Sequence, residues 1–274
     1  MPVQVTVLGS AQDGGVPQPG CVLDCCRSVE VERFPVALGI TAADGSTHLI
    51  EASRELGRQM RLWGVDRIDT VSLSHAHLGH VDGLGLFGRE VMNAAPRLHC
   101  SASFATLLSE TPAWSTLPFD VHIWDGAYTP LEGCEFTIEP VPVPHRAELS
   151  DNHALIIQGP EKRLLFMPDH DDWNQTLDSM DLRDWLNHLR IDIALIDGTF
   201  WSADELRHRD MSDIPHPPVQ ETLALLGKRR EGDGDVLFFH LNHTNPLCFS
   251  ESDERRELRS MGWNIAEEGD VFTL

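Results

Sequence analysis

The sequence contains few basic residues and almost no lysine. Lys162 and Lys228 are its two lysines, and 21 Lys and Arg residues in total stand against 43 Asp and Glu residues. The 274-residue chain therefore carries a formal net charge of −22 at pH 7. Proteins that bind the phosphate backbone of nucleic acids need clustered basic side chains to displace counterions. The composition therefore argues against a nucleic-acid partner.

Long hydrophobic runs are also lacking. No stretch of the sequence approaches the roughly 20 apolar residues that span a bilayer. The first ten residues, MPVQVTVLGS, lack the basic and apolar segments of a signal peptide. We therefore expect a cytoplasmic protein that has no membrane partner.

What the chain does contain is enough apolar residues for a substantial core, at 41% of the sequence. Short strand-like runs, beginning with VQVTVLG at residues 3–9, alternate with helical ones that include 55–64, 83–94, 180–190 and 217–228. Ser53 and Ser103 are candidate caps for two of the helices, and Gly64 is a candidate stop signal. This pattern predicts an α/β fold with two sheets packed face to face and helices outside. No internal repeat or linker is evident, so we predict one domain over residues 1–274.

The strongest functional signal is SHAHLGHVDG at residues 74–83, which follows an apolar strand. Its histidines, His75, His77 and His80, lie within six residues of one another. They can converge on one point if the chain turns after the strand, and Gly79 and Gly83 permit such a turn. The alternative interpretation is a loop of surface histidines.

Other candidate ligands occur at similar places, near the carboxyl ends of apolar strands. They are His145, Asp169, Asp197, His240 and His243. Any one of them alone is more typical of a turn or a helix cap. Their repetition at strand ends favours a shared site at one edge of the sheets.

The HAHLGH run, together with His145, Asp169 and His240, resembles the metal framework of the metallo-β-lactamase superfamily, whose signature is H-x-H-x-D-H followed by a His, an Asp and a His. The resemblance implies an αββα four-layer sandwich. More narrowly, LGSAQDGGVPQPGC and FFHLNHTNP resemble segments of PQQ-biosynthesis protein B and its relatives. The cyclic-phosphate phosphodiesterase branch carries a similar cysteine loop.

The resemblance implies one or two ions of Zn²⁺, Mn²⁺ or Fe²⁺ at the catalytic site. The implied metal ligands are His75, His77, His80, His145, Asp169 and His240. Gly79 stands where the signature has a carboxylate, so the second metal position loses its anionic ligand. Either the site holds one metal, or a second binds weakly. Asp82 is a possible substitute ligand, and capping of the following helix is the competing interpretation.

The implied catalytic residues are Asp169, His216 and His240. A metal-bound water at such a site ionises near neutral pH, at a pKa of roughly 7 for zinc. His216 resembles the histidine that stabilises the reacting phosphate in phosphodiesterase branches, and we expect it to be neutral until an anion binds, because it lies near a helix N-terminus. A structural histidine between prolines is the alternative. Glu51 and Asp197 are candidates for orienting the ligating imidazoles, while His170 and Asp171 follow Asp169 without an assigned role.

Three cysteines crowd one short loop, and such neighbours rarely form disulfides with each other. In a reducing compartment they are typical of metal ligands. The resemblance supplies a fourth ligand, three positions after His240. The expected structural zinc ligands are therefore Cys21, Cys25, Cys26 and His243. A redox-sensitive cysteine cluster without metal is the alternative.

These observations lead to a metal-dependent hydrolase of the phosphodiesterase type. Its expected substrate is a small anionic ester, either a phosphodiester or a cyclic phosphate. The alternative is a role like that of PQQ-biosynthesis protein B, as iron-dependent oxidation or cofactor handling. A metal-carrying protein without catalysis is a third interpretation. The oligomeric state is left open, with a homodimer as one option.

Overall fold

The core of the molecule consists of two β-sheets, seen in a computed structural model that describes residues 2–206 and 214–274. The first sheet has the order β13-β1-β2-β3-β4-β5-β6, and the second has the order β12-β11-β10-β9-β8-β7. The strands of the first sheet are β1 Gln4–Gly9, β2 Ala37–Thr41, β3 Thr47–Ile50, β4 Thr70–Ser72, β5 Arg97–Cys100, β6 Asp120–Ile123 and β13 Val271–Thr273. Those of the second are β7 Thr137–Pro142, β8 His153–Gln158, β9 Arg163–Met167, β10 Ile193–Asp197, β11 Asp235–Phe239 and β12 Asn264–Ile265.

Helices cover the outer faces of the two sheets. In the described part of the chain they are α1 Asp24–Arg27, α2 Leu56–Trp63, α3 Leu78–Val81, α4 Ala102–Glu110, α5 Trp173–Leu177, α6 Leu182–His188, α7 Val219–Leu226 and α8 Asp253–Ser260. Two 3-10 turns, Asp82–Phe87 and Pro246–Cys248, supplement them. Among the described residues, no helix has both the length and the apolar character to cross a membrane.

Three apolar clusters hold the layers together. The central cluster joins the two sheets and includes Val5 and Leu38 from the first sheet and Phe166 and Leu195 from the second. A second cluster packs α5 to α8 on the outside of the second sheet. A third packs α2 and α4 on the outside of the first sheet. The layers therefore follow the order helix, sheet, sheet, helix, and the predicted αββα sandwich is confirmed.

Strand direction explains where a site can form. Strands β3 to β6 run parallel, as do β9 to β12, whereas β1 to β3 and β7 to β9 pair antiparallel. The carboxyl ends of parallel strands share one edge of their sheet. Ligands in such sheets usually bind beyond that edge.

Some predicted boundaries are wrong. The helix expected at 83–94 is instead the short α3 followed by a 3-10 turn. Ser101, two residues before the expected Ser103, caps α4 by accepting a hydrogen bond from the Phe104 N–H. Ser53 does not cap α2; its hydroxyl accepts from the Glu55 N–H and donates to Gln59. The stop at Gly64 is confirmed, with φ 78°.

Candidate metal centre

Candidate ligands from both sheets converge at one edge. The histidine-rich segment 74–83 follows β4, and Asp169 follows β9 after one intervening residue. His240 directly follows β11, while His145 follows β7 by three residues. Because these strands end on the same side of the sandwich, the side chains of the candidate ligands meet although the residues are far apart in sequence.

A first group of ligand atoms belongs to His75, His77, His145 and Asp169, and all of these atoms lie within 4.8 Å of one another. His77 Nδ1 lies 3.1 Å from His145 Nε2, and His145 Nε2 lies 3.4 Å from Asp169 Oδ1. Three imidazole nitrogens and one carboxylate are a donor set suited to zinc, manganese or iron.

A second group surrounds the other oxygen of Asp169. Its Oδ2 lies 3.0 Å from His80 Nε2 and 3.5 Å from His240 Nε2. Asp169 therefore stands between the two groups, where a bridging ligand would stand. His216 also belongs to this neighbourhood, since its ligand atom lies within 4.8 Å of those of Asp169 and His240.

Asp13 is a member of the second group that the sequence analysis missed. Its Oδ1 lies 3.7 Å from His80 Nε2 and 3.9 Å from His240 Nε2. The sequence could have indicated Asp13 as a candidate ligand, because it closely follows strand β1 and precedes two glycines. Asp82, the ligand considered earlier, instead forms an ion pair with Arg54 at 2.8 Å and begins a 3-10 turn.

Several inward-facing polar atoms of the site have no hydrogen-bond partner among the described residues. They are His75 Nε2, His80 Nε2, His240 Nε2 and Asp169 Oδ2, and all are buried. An unsatisfied buried polar atom costs about 1–3 kcal/mol. These four atoms fit a site built for cations, because metal ions bound by the two groups would satisfy them.

The outward-facing nitrogens of His75 and His145 are oriented by neighbouring groups. His75 Nδ1 lies 2.9 Å from Ser74 Oγ, and His145 Nδ1 lies 2.7 Å from Asp171 Oδ1. This contact gives Asp171 the role that the sequence did not assign. On the exposed side of the site, His77 Nε2 lies 3.2 Å from Glu148 Oε1, another contact that sequence reasoning missed.

Glu51 lies beneath His80. The buried Glu51 carboxylate accepts a hydrogen bond from the Ser74 N–H at 3.2 Å, and its Oε1 lies 3.5 Å from His80 Nδ1. Glu51 is thus a close neighbour of His80, although His80 Nδ1 makes no hydrogen bond to the described residues. Glu51 and His240 have positive φ angles, 63° and 59°. Such strain in non-glycine residues is concentrated at functional sites.

Asp197 contacts two members of the site. Its Oδ2 lies 2.6 Å from His216 Nδ1, and its Oδ1 accepts a hydrogen bond from the Thr199 hydroxyl at 2.7 Å. Thr199 Oγ1 in turn lies 2.8 Å from His240 Nδ1. Thr199 therefore connects Asp197 to His240, a role that no sequence pattern indicated.

The electrostatics of the site centre on Asp169 and His216. Burial alone would raise the pKa of Asp169, but His240, His80 and His75 hold that pKa well below its usual range. For His216, burial lowers the pKa and the Asp197 carboxylate raises it, with a net increase. This net increase is opposite in direction to the effect expected from the helix dipole. Helix α7 begins only at Val219, whereas the Asp197 carboxylate is in direct contact.

The cysteine loop forms a separate group. The ligand atoms of Cys21, Cys25, Cys26 and His243 all lie within 4.8 Å of one another. His243 Nδ1 lies 3.5 Å from Cys25 Sγ and 3.3 Å from Cys26 Sγ. The one-turn helix α1 brings the two adjacent thiols to the same side. All three cysteines are free, so the group has the composition of a closed zinc site.

His170 lies outside the metal-ligand groups. Its Nε2 lies 2.6 Å from Thr176 Oγ1, and its ring packs against Trp173 with centroids 4.3 Å apart. It is a buried structural histidine, and burial lowers its pKa to about 4.

Comparison with known proteins agrees with this geometry. The model of the beta-lactamase superfamily domain matches residues 46–241. Coenzyme PQQ synthesis protein B of Methylobacterium sp. strain 4-46 is 27% identical over 310 residues, which cover 99% of this chain and 100% of that protein. The same protein of Cupriavidus taiwanensis is 26% identical, covering 98% and 99%.

Two solved structures are similar over almost their whole length. Zn²⁺-bound PqqB from Methylobacterium extorquens superposes with a TM-score of 0.79 at 19% identity, covering 99% of this chain and 100% of that one. A diphosphatase from the PhnP family gives a TM-score of 0.71, also at 19% identity, covering 100% and 98%. At this identity the two structures establish a shared fold.

Proposed function

Because the chain belongs to the beta-lactamase superfamily, we propose that its histidine-rich edge is the active site of a metal-dependent hydrolase. The proposed substrate is a small anionic ester, most specifically a phosphodiester or a cyclic phosphate. The observation that carries this proposal is the set of buried, inward-facing nitrogen and oxygen atoms without hydrogen-bond partners among the described residues.

The proposed metal ligands fall into two groups that share Asp169. His75, His77 and His145 hold one divalent cation with Asp169, while His80 and His240 face the other oxygen of that carboxylate. A zinc, manganese or iron ion bound there supplies charge stabilisation at a phosphoryl oxygen and lowers the pKa of a water ligand. The separate cysteine group is proposed to hold a structural zinc.

We propose that His216 is a catalytic residue that stabilises negative charge on the substrate. Asp197 Oδ2 lies 2.6 Å from His216 Nδ1, so Nε2 of the same ring can donate to an anionic oxygen. Burial lowers the pKa of His216, but the Asp197 carboxylate raises it, with a net increase. The ring of His216 lies beside those of His145 and His240, with centroids 5.6 and 5.8 Å away. An imidazole placed in this way can stabilise negative charge that develops during ester cleavage.

The charge of the chain supports a small substrate. With a net charge of −22, long-range attraction of a polyanion is unfavourable. A bound cation would supply positive potential at the site itself. A small phosphodiester can reach the site without extended contact with the acidic surface. We retain the cytoplasm as the proposed location.

Hydrolysis of bis(p-nitrophenyl) phosphate tests the proposal directly. We expect turnover by protein loaded with Zn²⁺ or Mn²⁺ and a loss of roughly 100-fold or more in kcat for His75→Ala, because the variant lacks one proposed metal ligand. His188→Ala, which changes an exposed histidine at the end of α6, is the matched control and should keep full activity. Equal activity in His75→Ala would exclude the proposed site.

The second candidate function is a role in PQQ biosynthesis. Curated relatives named coenzyme PQQ synthesis protein B match 99% of this chain, and the match extends over their whole length. A donor set of three histidines and a carboxylate is also compatible with iron and oxygen chemistry.

Restoration of PQQ production separates the two functions. The gene for this chain would be expressed in a PQQ-producing bacterium that lacks its own PQQ synthesis protein B. Recovery of PQQ, together with absence of phosphodiester hydrolysis, would favour the second function. Hydrolysis without recovery would favour the first.

A further inference from the structure

Position 79 is a glycine because another side chain already occupies the space beside it. A Cβ atom built on Gly79 would come within 2.6 Å of Asp13 Cα and closer still to the Asp13 carboxylate. Real Cβ atoms do not approach other heavy atoms so closely. Asp13 and a side chain at position 79 therefore exclude each other in this fold.

The Asp13 carboxylate faces the half of the site that is short of negative charge. Asp13 Oδ1 lies 3.7 Å from His80 Nε2 and 3.9 Å from His240 Nε2, and the three ligand atoms lie within 4.8 Å of one another. The two imidazole nitrogens are buried and make no hydrogen bond to the described residues. A cation between them would gain a second carboxylate in addition to Asp169.

The backbone fixes Asp13 in this position. The Gln12 N–H donates to the Leu241 carbonyl at 3.0 Å, and the Leu241 N–H donates to the Ser10 carbonyl at 2.9 Å. The loop is thus hydrogen-bonded to the residue that directly follows His240. A tight turn then closes from the Gly15 N–H to the Gln12 carbonyl at 2.8 Å, with Gly15 at a φ of 69°. Asp13 lies inside that turn.

From these observations we propose that Asp13 is a metal ligand, which completes a second cation site together with His80, His240 and Asp169. The carboxylate that Gly79 cannot provide comes from a different part of the chain. The inference rests on the proposed metal-dependent function and extends it from one cation to two. It also assigns a role to the QDGG segment that follows β1.

Manganese titration tests the proposal without any assay of activity. Protein that retains its cysteine-loop metal would be titrated with Mn²⁺, and unbound Mn²⁺ would be followed by electron paramagnetic resonance. We expect the wild-type protein to bind two equivalents. Asp13→Asn, which keeps the side-chain shape, should leave the first unchanged and weaken the second by roughly tenfold or more, because even hydrogen-bond partners of ligands contribute about 10- to 100-fold to affinity.

Two pairs of variants make the result specific. Asp82→Asn changes a carboxylate that is close to His80 in sequence but pairs with Arg54, and this variant should bind Mn²⁺ like the wild type. Gly79→Ala alters no ligand but displaces Asp13, so it should weaken the second equivalent as Asp13→Asn does. Gly85→Ala is its matched control, since a Cβ there meets no described atom within 4 Å.

Each outcome decides between the hypotheses. Two tight equivalents in Asp13→Asn would overturn the role of Asp13 and leave the proposed function intact. A single equivalent in the wild type would overturn the second site. Absence of binding at the histidine-rich edge in the wild type would instead contradict the proposed function itself.

Discussion

The buried side chains of Asp197 and His216 form a close pair, with 2.6 Å between Asp197 Oδ2 and His216 Nδ1. The pair lies beside the proposed metal ligands, and its two residues are 19 positions apart in sequence. Because Asp197 also accepts a hydrogen bond from Thr199, one carboxylate orients two groups at the site. Its removal should therefore affect catalysis more than folding.

Asp197→Asn should lower the activity of the enzyme at constant metal content. The amide keeps the shape of the side chain but loses the negative charge that stabilises an imidazolium at His216. We expect kcat for bis(p-nitrophenyl) phosphate to fall by about 10- to 100-fold with a smaller change in KM. Metal analysis of the same samples is the control, and an unchanged kcat would contradict the role assigned to the pair.

Thr199→Val should weaken metal binding, because the Thr199 hydroxyl is the neighbour that orients His240 through Nδ1 at 2.8 Å. Loss of such a partner typically costs about 10- to 100-fold in metal affinity. Competition with a chromogenic chelator would measure the change. Thr199→Ser keeps the hydroxyl and should bind metal like the wild type; equal weakening in both variants would point to packing as the cause.

Features encoded within one short segment of sequence could be predicted, and features that depend on contacts between distant segments could not. Strands such as β10 and β11 are nearly continuous apolar runs, so their carboxyl ends, with Asp197 and His240, could be located from sequence alone. The three histidines of segment 74–83 needed only one turn to converge. The fold itself was predictable because the motif resemblance extends from the first strand to the last long one.

The remaining features depended on tertiary contacts. Asp13 reaches the site only because its loop is hydrogen-bonded to Leu241, a contact between segments more than 200 residues apart. The increase in the pKa of His216 was not predicted, because the sequence shows the nearby prolines but not the short distance to Asp197. The short edge strand β13, which pairs with β1, carries too few residues for a pattern.

Cys21→Ser should remove the structural zinc and lower thermal stability. The four proposed ligands connect the N-terminal loop to the segment after β11 through His243, so their metal contributes directly to the folded state. Zinc content should fall by about one equivalent, with a lower melting temperature in the same preparation. Cys134→Ser, which changes a partly buried cysteine outside the group, should retain its zinc. Unchanged zinc in Cys21→Ser would favour a metal-free cysteine cluster.

His48→Gln should make stability less sensitive to acid. His48 is buried, with Nε2 2.8 Å from Ser46 Oγ and Nδ1 2.9 Å from Thr70 Oγ1. Burial lowers its pKa to about 4 in the folded protein, compared with roughly 6.5 in an unfolded chain. Between these values the unfolded state binds a proton that the folded state does not, so stability falls as the pH falls through this range.

At about pH 5 the protonation of His48 in the unfolded state should cost the wild type about 2 kcal/mol of stability relative to neutral pH. Glutamine keeps a hydrogen-bonding side chain and cannot titrate, so the acid-induced loss should be smaller by that amount in His48→Gln. Urea denaturation at the two pH values measures both losses, and comparison of the two proteins removes the contribution of the other histidines. Parallel stability curves for the two proteins would show that His48 is protonated in the folded state as readily as in the unfolded chain.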